Sequence, residues 1–135
     1  MVNSKTNSLD FFGISGTGLT MGTSSITLTD GADSEASSID VSVDESVLAV
    51  VITKGSCTRG ELYLIDVTSR EKFGPYELGY NPDAVDIAVD NEFVVVVNEY
   101  DYEDGTAGCT TPYYPGVTIW NISCLLYTSD AADEE

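Results

Sequence analysis

Apolar and polar residues alternate through residues 81–89, N-P-D-A-V-D-I-A-V, and then give way to an unbroken apolar run. Val85, Ile87 and Val89 are separated by Asp86 and Ala88, the two-residue period of a strand with two distinct faces. Asp90, Asn91 and Glu92 interrupt the pattern with turn chemistry. Residues 93–97, F-V-V-V-V, then predict a second strand buried on both faces.

The same pattern occurs earlier, in residues 37–52, S-S-I-D-V-S-V-D-E-S-V-L-A-V-V-I. Ile39 falls on Val85, an offset of 46 residues, which places Asp40 on Asp86, Val41 on Ile87, Val43 on Val89 and Asp44 on Asp90. Residues 47–51 fall on residues 93–97. Each copy runs on into a polar loop and a third strand, G-E-L-Y-L-I-D-V at 60–67 and G-V-T-I-W-N-I at 116–122. Leu62 then matches Val117, Leu64 matches Ile119, Ile65 matches Trp120 and Val67 matches Ile122.

A truncated third copy stands at the start. Met1-Val2-Asn3 has the form of the end of a second strand, and Leu9, Phe11, Phe12 and Ile14 fill the apolar slots of a third. The chain is therefore expected to begin partway through a repeat. Short polar fourth strands are expected near residues 25–28 and, after Gly74-Pro75, near residues 76–78, as suits an outer edge. A unit of about 45 residues with four strands is the blade of a β-propeller. A β-sandwich needs no such repeat, and helical repeats need a 3.6-residue period that the chain does not show. The expected fold is all-β, a partial β-propeller of about two and a half four-stranded antiparallel blades. Its expected divisions are the end of a truncated blade at 1–36, a complete blade at 37–81 and a partial blade at 82–123.

The runs P-D-A-V-D-I-A-V-D, V-V-V-V-N-E and G-V-T-I-W-N-I-S, with V-N-S-K-T-N-S-L-D-F-F at the start, resemble the choice-of-anchor I β-propellers, relatives of the YVTN and quinoprotein-like propellers. The resemblance spans nearly all of residues 1–123. It implies a secreted or surface-attached protein of about seven blades, of which this chain would be a piece, with the missing blades as its first partners. Some relatives sit beside phosphatase or nucleotidase domains.

Residues 124–134, C-L-L-Y-T-S-D-A-A-D-E, share no pattern with the rest and resemble the translation of a sequencing-library adapter, so residues 124–135 are expected to be a non-native tail. The charge balance is strongly acidic, with 23 Asp and Glu against 5 Lys and Arg and a net charge of −18. Such a surface argues against nucleic acid or an anionic membrane as partner. It suits a solvated exterior or one that collects cations. No stretch approaches the ~20 apolar residues of a membrane-spanning helix.

The chain has no histidine, which removes His-based triads and His metal sites. No catalytic residue is expected in this piece. The glycine-rich run G-I-S-G-T-G at 13–18 lacks the following helix that a phosphate loop requires and reads as a plain turn. The loop N-E-Y-D-Y-E-D-G at 98–105 crowds Glu99, Asp101, Glu103 and Asp104 together. Hard oxygen ligands on a flexible loop suit calcium, although the spacing is not that of an EF-hand, and a solvated acidic loop is the alternative. Cys57 and Cys109 both fall in loops between second and third strands of adjacent blades, which emerge on one face, so a disulfide between them is geometrically open. Asp40 and Asp86 hold equivalent places on inner strands and read as structural hydrogen-bonding positions. Tyr100, Tyr102, Tyr113 and Tyr114 could contact a carbohydrate or protein ligand. Asn121-Ile122-Ser123 fits a glycosylation sequon.

Two functions are expected from different classes. The first is a secreted or cell-surface propeller that presents loops for binding, with or without calcium. The second is part of a metal-dependent propeller hydrolase of phosphatase, phytase or lactonase type.

Overall fold

The computed structural model describes residues 2–29, 31, 33–55, 57–99 and 115–123. Its described elements are strands: β1 (Val2–Asn3), β2 (Ser8–Ser15), β3 (Gly18–Thr27), β4 (Ser34–Val41), β5 (Val47–Lys54), β6 (Arg59–Asp66), β7 (Lys72–Tyr80), β8 (Pro82–Ile87), β9 (Phe93–Asn98) and β10 (Gly116–Asn121). They form three antiparallel sheets in chain order, β1-β2-β3, β4-β5-β6-β7 and β8-β9-β10. The fold is all-β, as the two-residue periods predict.

The 46-residue repeat extends to the backbone. Asp40 pairs with Ala49 and Val41 with Leu48, and at the same offset Asp86 pairs with Val95 and Ile87 with Val94. A bulge shifts the register between Ala36 and Ser38, and another between Pro82 and Ala84, the matching positions. The turns after the two inner strands also agree. The Ser42 and Ala88 amides donate to the Val47 and Phe93 carbonyls at 2.9 Å, and the Glu45 and Asn91 amides donate to the Ser42 and Ala88 carbonyls at 2.8 Å. Glu45 and Asn91 share φ 59°, the left-handed region that asparagine tolerates and glutamate rarely enters. Each third strand is tied back to this turn by a 2.8 Å bond, Val67 amide to Ser46 carbonyl and Ile122 amide to Glu92 carbonyl.

The second sheet is buried on both faces. Val47, Ala49, Val51, Leu62, Leu64 and Leu78 pack against Ile87, Val94, Val96 and Ile122 of the third sheet and the residue that follows it. On the opposite face Val50, Ile52, Tyr63 and Ile65 pack with Leu9 and Leu28, flanked by Phe11 and Ile26 of the first sheet. β-branched and aliphatic residues on successive positions of β5 are what such a central layer requires.

Three expectations change. The run at 93–97 is buried on one face only: Val94 and Val96 are fully buried, whereas Val97 is 47% exposed, because no described residue covers its face. Val89 is not part of a strand; β8 ends at Ile87, and Val89 projects from the turn 80% exposed. The outer strands are long rather than short. β3 runs ten residues in a hairpin with β2, and β7 runs nine, taking Pro75 inside the strand where the register with β6 shifts between Leu62 and Leu64. A proline is tolerated there because an edge strand needs no amide donor on its open side.

Candidate functional site

Side chains of the inner strands, rather than a catalytic array, carry the most specific polar geometry. β4 and β8 lie side by side without sharing a ladder, and β4 supplies the connections. The Ile87 amide donates to Asp40 Oδ2 at 2.8 Å, the Val85 amide donates to the Ser38 hydroxyl at 3.3 Å, and the Ser37 hydroxyl donates to the Pro82 carbonyl at 2.9 Å. Asp40 thus holds the structural place its repetition suggests. Asp86, its counterpart one repeat on, is exposed, and no such bond is found for it among the described residues.

Asn7 performs a comparable task between the first two sheets. It is 7% exposed and sits at φ 47° in the turn before β2. Its Nδ2 donates to the Ser34 carbonyl at 2.8 Å, its Oδ1 accepts from the Ala36 amide at 3.1 Å, and its own carbonyl accepts from the Leu28 amide at 2.8 Å. Asn7 is not among the expected site residues, and its one outward sign in the sequence is a turn-forming residue directly before an apolar strand.

Two turns hold carboxylates below their ordinary range. Asp44 accepts from the Ser42 hydroxyl and from the hydroxyl and amide of Ser46, and those bonds favour the charged form. Asp66 is lowered by the Ser69 amide at 2.6 Å and the Ser69 hydroxyl at 2.9 Å. Both are turn braces at the surface. Tyr76, whose ring centroid lies 5.5 Å from that of Trp120, is shifted upward by burial.

The opposite end of the sheets gathers the residues that the sequence singled out for chemistry. β6 and β7 meet there through Arg59 and Tyr80, Pro82 pairs with Asn98, and Asn98 pairs with Gly116. The Glu99 amide donates to the Asn81 carbonyl at 2.9 Å, which anchors Glu99 beside this end with its side chain exposed. Asp101, Glu103 and Asp104, and with them Tyr100, Tyr102, Tyr113 and Tyr114, lie outside the described residues, so the proposed calcium ligand set is placed only at Glu99. Among the described residues there is no group of three or more His, Cys, Asp or Glu side chains fit to hold a metal.

Cys57 belongs to the same end and is disulfide-bonded; Cys109 and Cys124 lie outside the described residues. Beside it opens a polar groove of about 440 Å3 lined by Lys54, Arg59, Glu61, Pro75 and Glu77. Lys54 pairs with Glu61 at 2.7 Å and Arg59 with Glu77 at 2.9 Å, so the groove is internally neutral. The Tyr63 hydroxyl donates to the other oxygen of Glu61 at 3.0 Å. Charges matched in this way fix the shape of the groove rather than activate a nucleophile. A second groove, about 390 Å3 and mostly apolar, lies between the first and second sheets against Phe11, Phe12, Ile39, Val41 and Leu48. The glycine run at 13–18 forms the plain β2–β3 hairpin turn, with Ser15 paired to Gly18. No helix among the described residues is long and apolar enough to cross a membrane.

No known protein family and no characterised protein matches the chain.

Proposed function

We propose that the chain is a run of successive β-propeller blades from a secreted or cell-surface protein, acting as a binding scaffold with no catalysis in this piece. One observation carries the reading: the strand register, bulge, turn conformation and turn hydrogen bonds of the first hairpin recur at a 46-residue offset, and the third strand is tied back to the matching turn residue in both copies, in stacked four-stranded and three-stranded sheets. A sandwich of two sheets has no reason to repeat such details. The disulfide at Cys57 and the net charge of −18 favour an oxidising, aqueous exterior. Loops at the Cys57 and Glu99 end are the surface offered to a protein or carbohydrate ligand. Fractionation of source cells with an antibody against residues 34–80 tests this reading. A larger polypeptide in the medium or on the cell surface is expected. A cytosolic polypeptide of 14.4 kDa would overturn it.

A further inference from the structure

Asn121-Ile122-Ser123 is the one N-x-Ser/Thr sequence in the chain, and it stands where β10 ends. Ile122 is fully buried and anchors the segment in the core, while the Asn121 side chain is exposed. Asn121 Oδ1 accepts from the Ser123 amide at 3.1 Å and from the Ser123 hydroxyl at 2.6 Å. Its Nδ2 has no hydrogen-bond partner among the described residues. The carboxamide is therefore held by its oxygen, with its nitrogen unengaged.

The repeat shows what a purely structural residue looks like at this place. Asp66 is the counterpart of Asn121, directly before Val67 as Asn121 is directly before Ile122. It accepts in the same way from an amide and a hydroxyl, both of Ser69, at 2.6 Å and 2.9 Å. A turn brace asks only for an acceptor oxygen, which aspartate supplies. Asparagine keeps that acceptor and adds a nitrogen that the turn does not use. Asp66 also stays half-exposed although its sheet is packed on both faces, so a neighbouring sheet does not close this position.

We infer that Asn121 is the attachment point of an N-linked oligosaccharide, transferred from a glycosyl diphosphate donor. The inference rests on the secreted or cell-surface reading, because such acceptors are modified on secreted chains. The bond from the Ser123 hydroxyl polarises the carboxamide toward its oxygen and eases loss of an Nδ2 proton. Nδ2 bonds to C1 of the sugar and the C1–O bond to the diphosphate breaks. The diphosphate leaves with the electron pair, and the Nδ2 proton passes to a base of the transferase. Asn121 pairs with Phe93 at one end of the third sheet, whereas Gly116 pairs with Asn98 at the other. The six residues of β10 put about 17 Å between the glycan and the Cys57 and Glu99 end. The sugar thus marks the rim opposite the proposed binding loops and leaves those loops open.

The full chain, behind a cleavable secretion leader, is produced in cells that carry out N-glycosylation, and its intact mass is measured before and after peptide N-glycosidase. The mass should exceed 14.4 kDa by whole oligosaccharide units, and digestion should remove them and convert Asn121 to aspartate. Asn121→Gln and Ser123→Ala should each abolish the modification, and Ser123→Thr should retain it. Asn121→Asp keeps the acceptor oxygen, as Asp66 does, so it should lose the glycan yet match the denaturation midpoint of parent chain made without glycosylation. A secreted, folded parent whose Asn121 peptide is wholly unmodified would overturn the inference. The same peptide from source cells separates the two levels. Polypeptide outside the cell with Asn121 unmodified removes the glycan alone, whereas cytosolic polypeptide removes the exterior reading and the glycan with it. Should the chain not leave the producing cells, the source-cell peptide decides by itself.

Discussion

The Ile87 amide donates a 2.8 Å hydrogen bond to the Asp40 carboxylate across 47 residues of sequence, joining two inner strands that share no ladder. Sheets packed only through aliphatic side chains could slide over one another, since apolar contacts have no direction. A charge-assisted bond from backbone to carboxylate has one register. Ser38 and Ser37 add two more connections on the same strand, so the third sheet is held by polar contacts at its inner edge and by aliphatic packing behind them.

Asn7 should be the most sensitive polar residue between the first two sheets. Asn7→Ala leaves the Ala36 amide without its acceptor in a buried place, a loss of about 1–3 kcal/mol. The left-handed backbone at φ 47° adds to it. Asn7→Gly removes both side-chain bonds but suits that backbone, so it should recover about 1 kcal/mol relative to alanine. Urea denaturation of the two variants checks the order.

Gly60 marks a close approach between the second sheet and the start of the third. A β-carbon there would run into the ring of Pro82 and stand 2.7 Å from the Ile52 carbonyl oxygen. Neither a proline ring nor a strand carbonyl moves easily. Gly60→Ala is expected to cost about 1–3 kcal/mol through overpacking, seen as a lowered denaturation midpoint at unchanged slope. An alanine tolerated without loss would mean that β6 and β8 are farther apart.

Much of this fold was legible in the amino-acid pattern. Strand period, repeat offset and the equivalence of Leu62 to Val117 or of Val67 to Ile122 follow from side-chain chemistry at matched positions. Other features left no such trace. Glu45 adopts the left-handed turn that its counterpart Asn91 suits far better, and a glutamate gives no hint of it. Asn7 acts on backbone groups 27 and 29 residues away, which any sequence supplies. A valine run reads the same whether one face or both are covered, which is why Val97 was expected inside. As for the site, the acidic loop was visible only as composition, and of its four carboxylates Glu99 alone has a described position.

Acid should weaken two turns in a definite window. Hydrogen bonds lower the Asp44 and Asp66 carboxyls, so their contribution is fully present above the ordinary aspartate range, about pH 4, and is lost as pH falls through the lowered values. Acidification also relieves the self-repulsion of a chain with net charge −18, which acts in the opposite direction. The comparison of interest is therefore between parent and an Asp44→Asn, Asp66→Asn variant, in which the second effect is nearly common. The two stability curves should be separated at pH 6 and converge as pH falls through the lowered carboxyl values.

Three cysteines and a bonded Cys57 set up a simple chemical count. Thiol titration of the unfolded, unreduced monomer should find one free thiol per chain. Peptide mapping is expected to recover a Cys57–Cys109 cross-link, as the loop positions suggest. A Cys57–Cys124 peptide would instead tie residues 124–135 to the folded part.

The latch between inner strands is tested most directly by comparing Asp40→Ala with Asp86→Ala in the same full chain, by urea denaturation. The two residues share chemistry, strand position and repeat register, and differ in whether a neighbouring inner strand donates to them. Asp40→Ala should lower stability by about 1–3 kcal/mol, the cost of an orphaned amide. Asp86→Ala should stay within about 0.5 kcal/mol of the parent, as for a surface side chain with nothing to lose. Equal losses at both positions, or none at Asp40, would contradict the account.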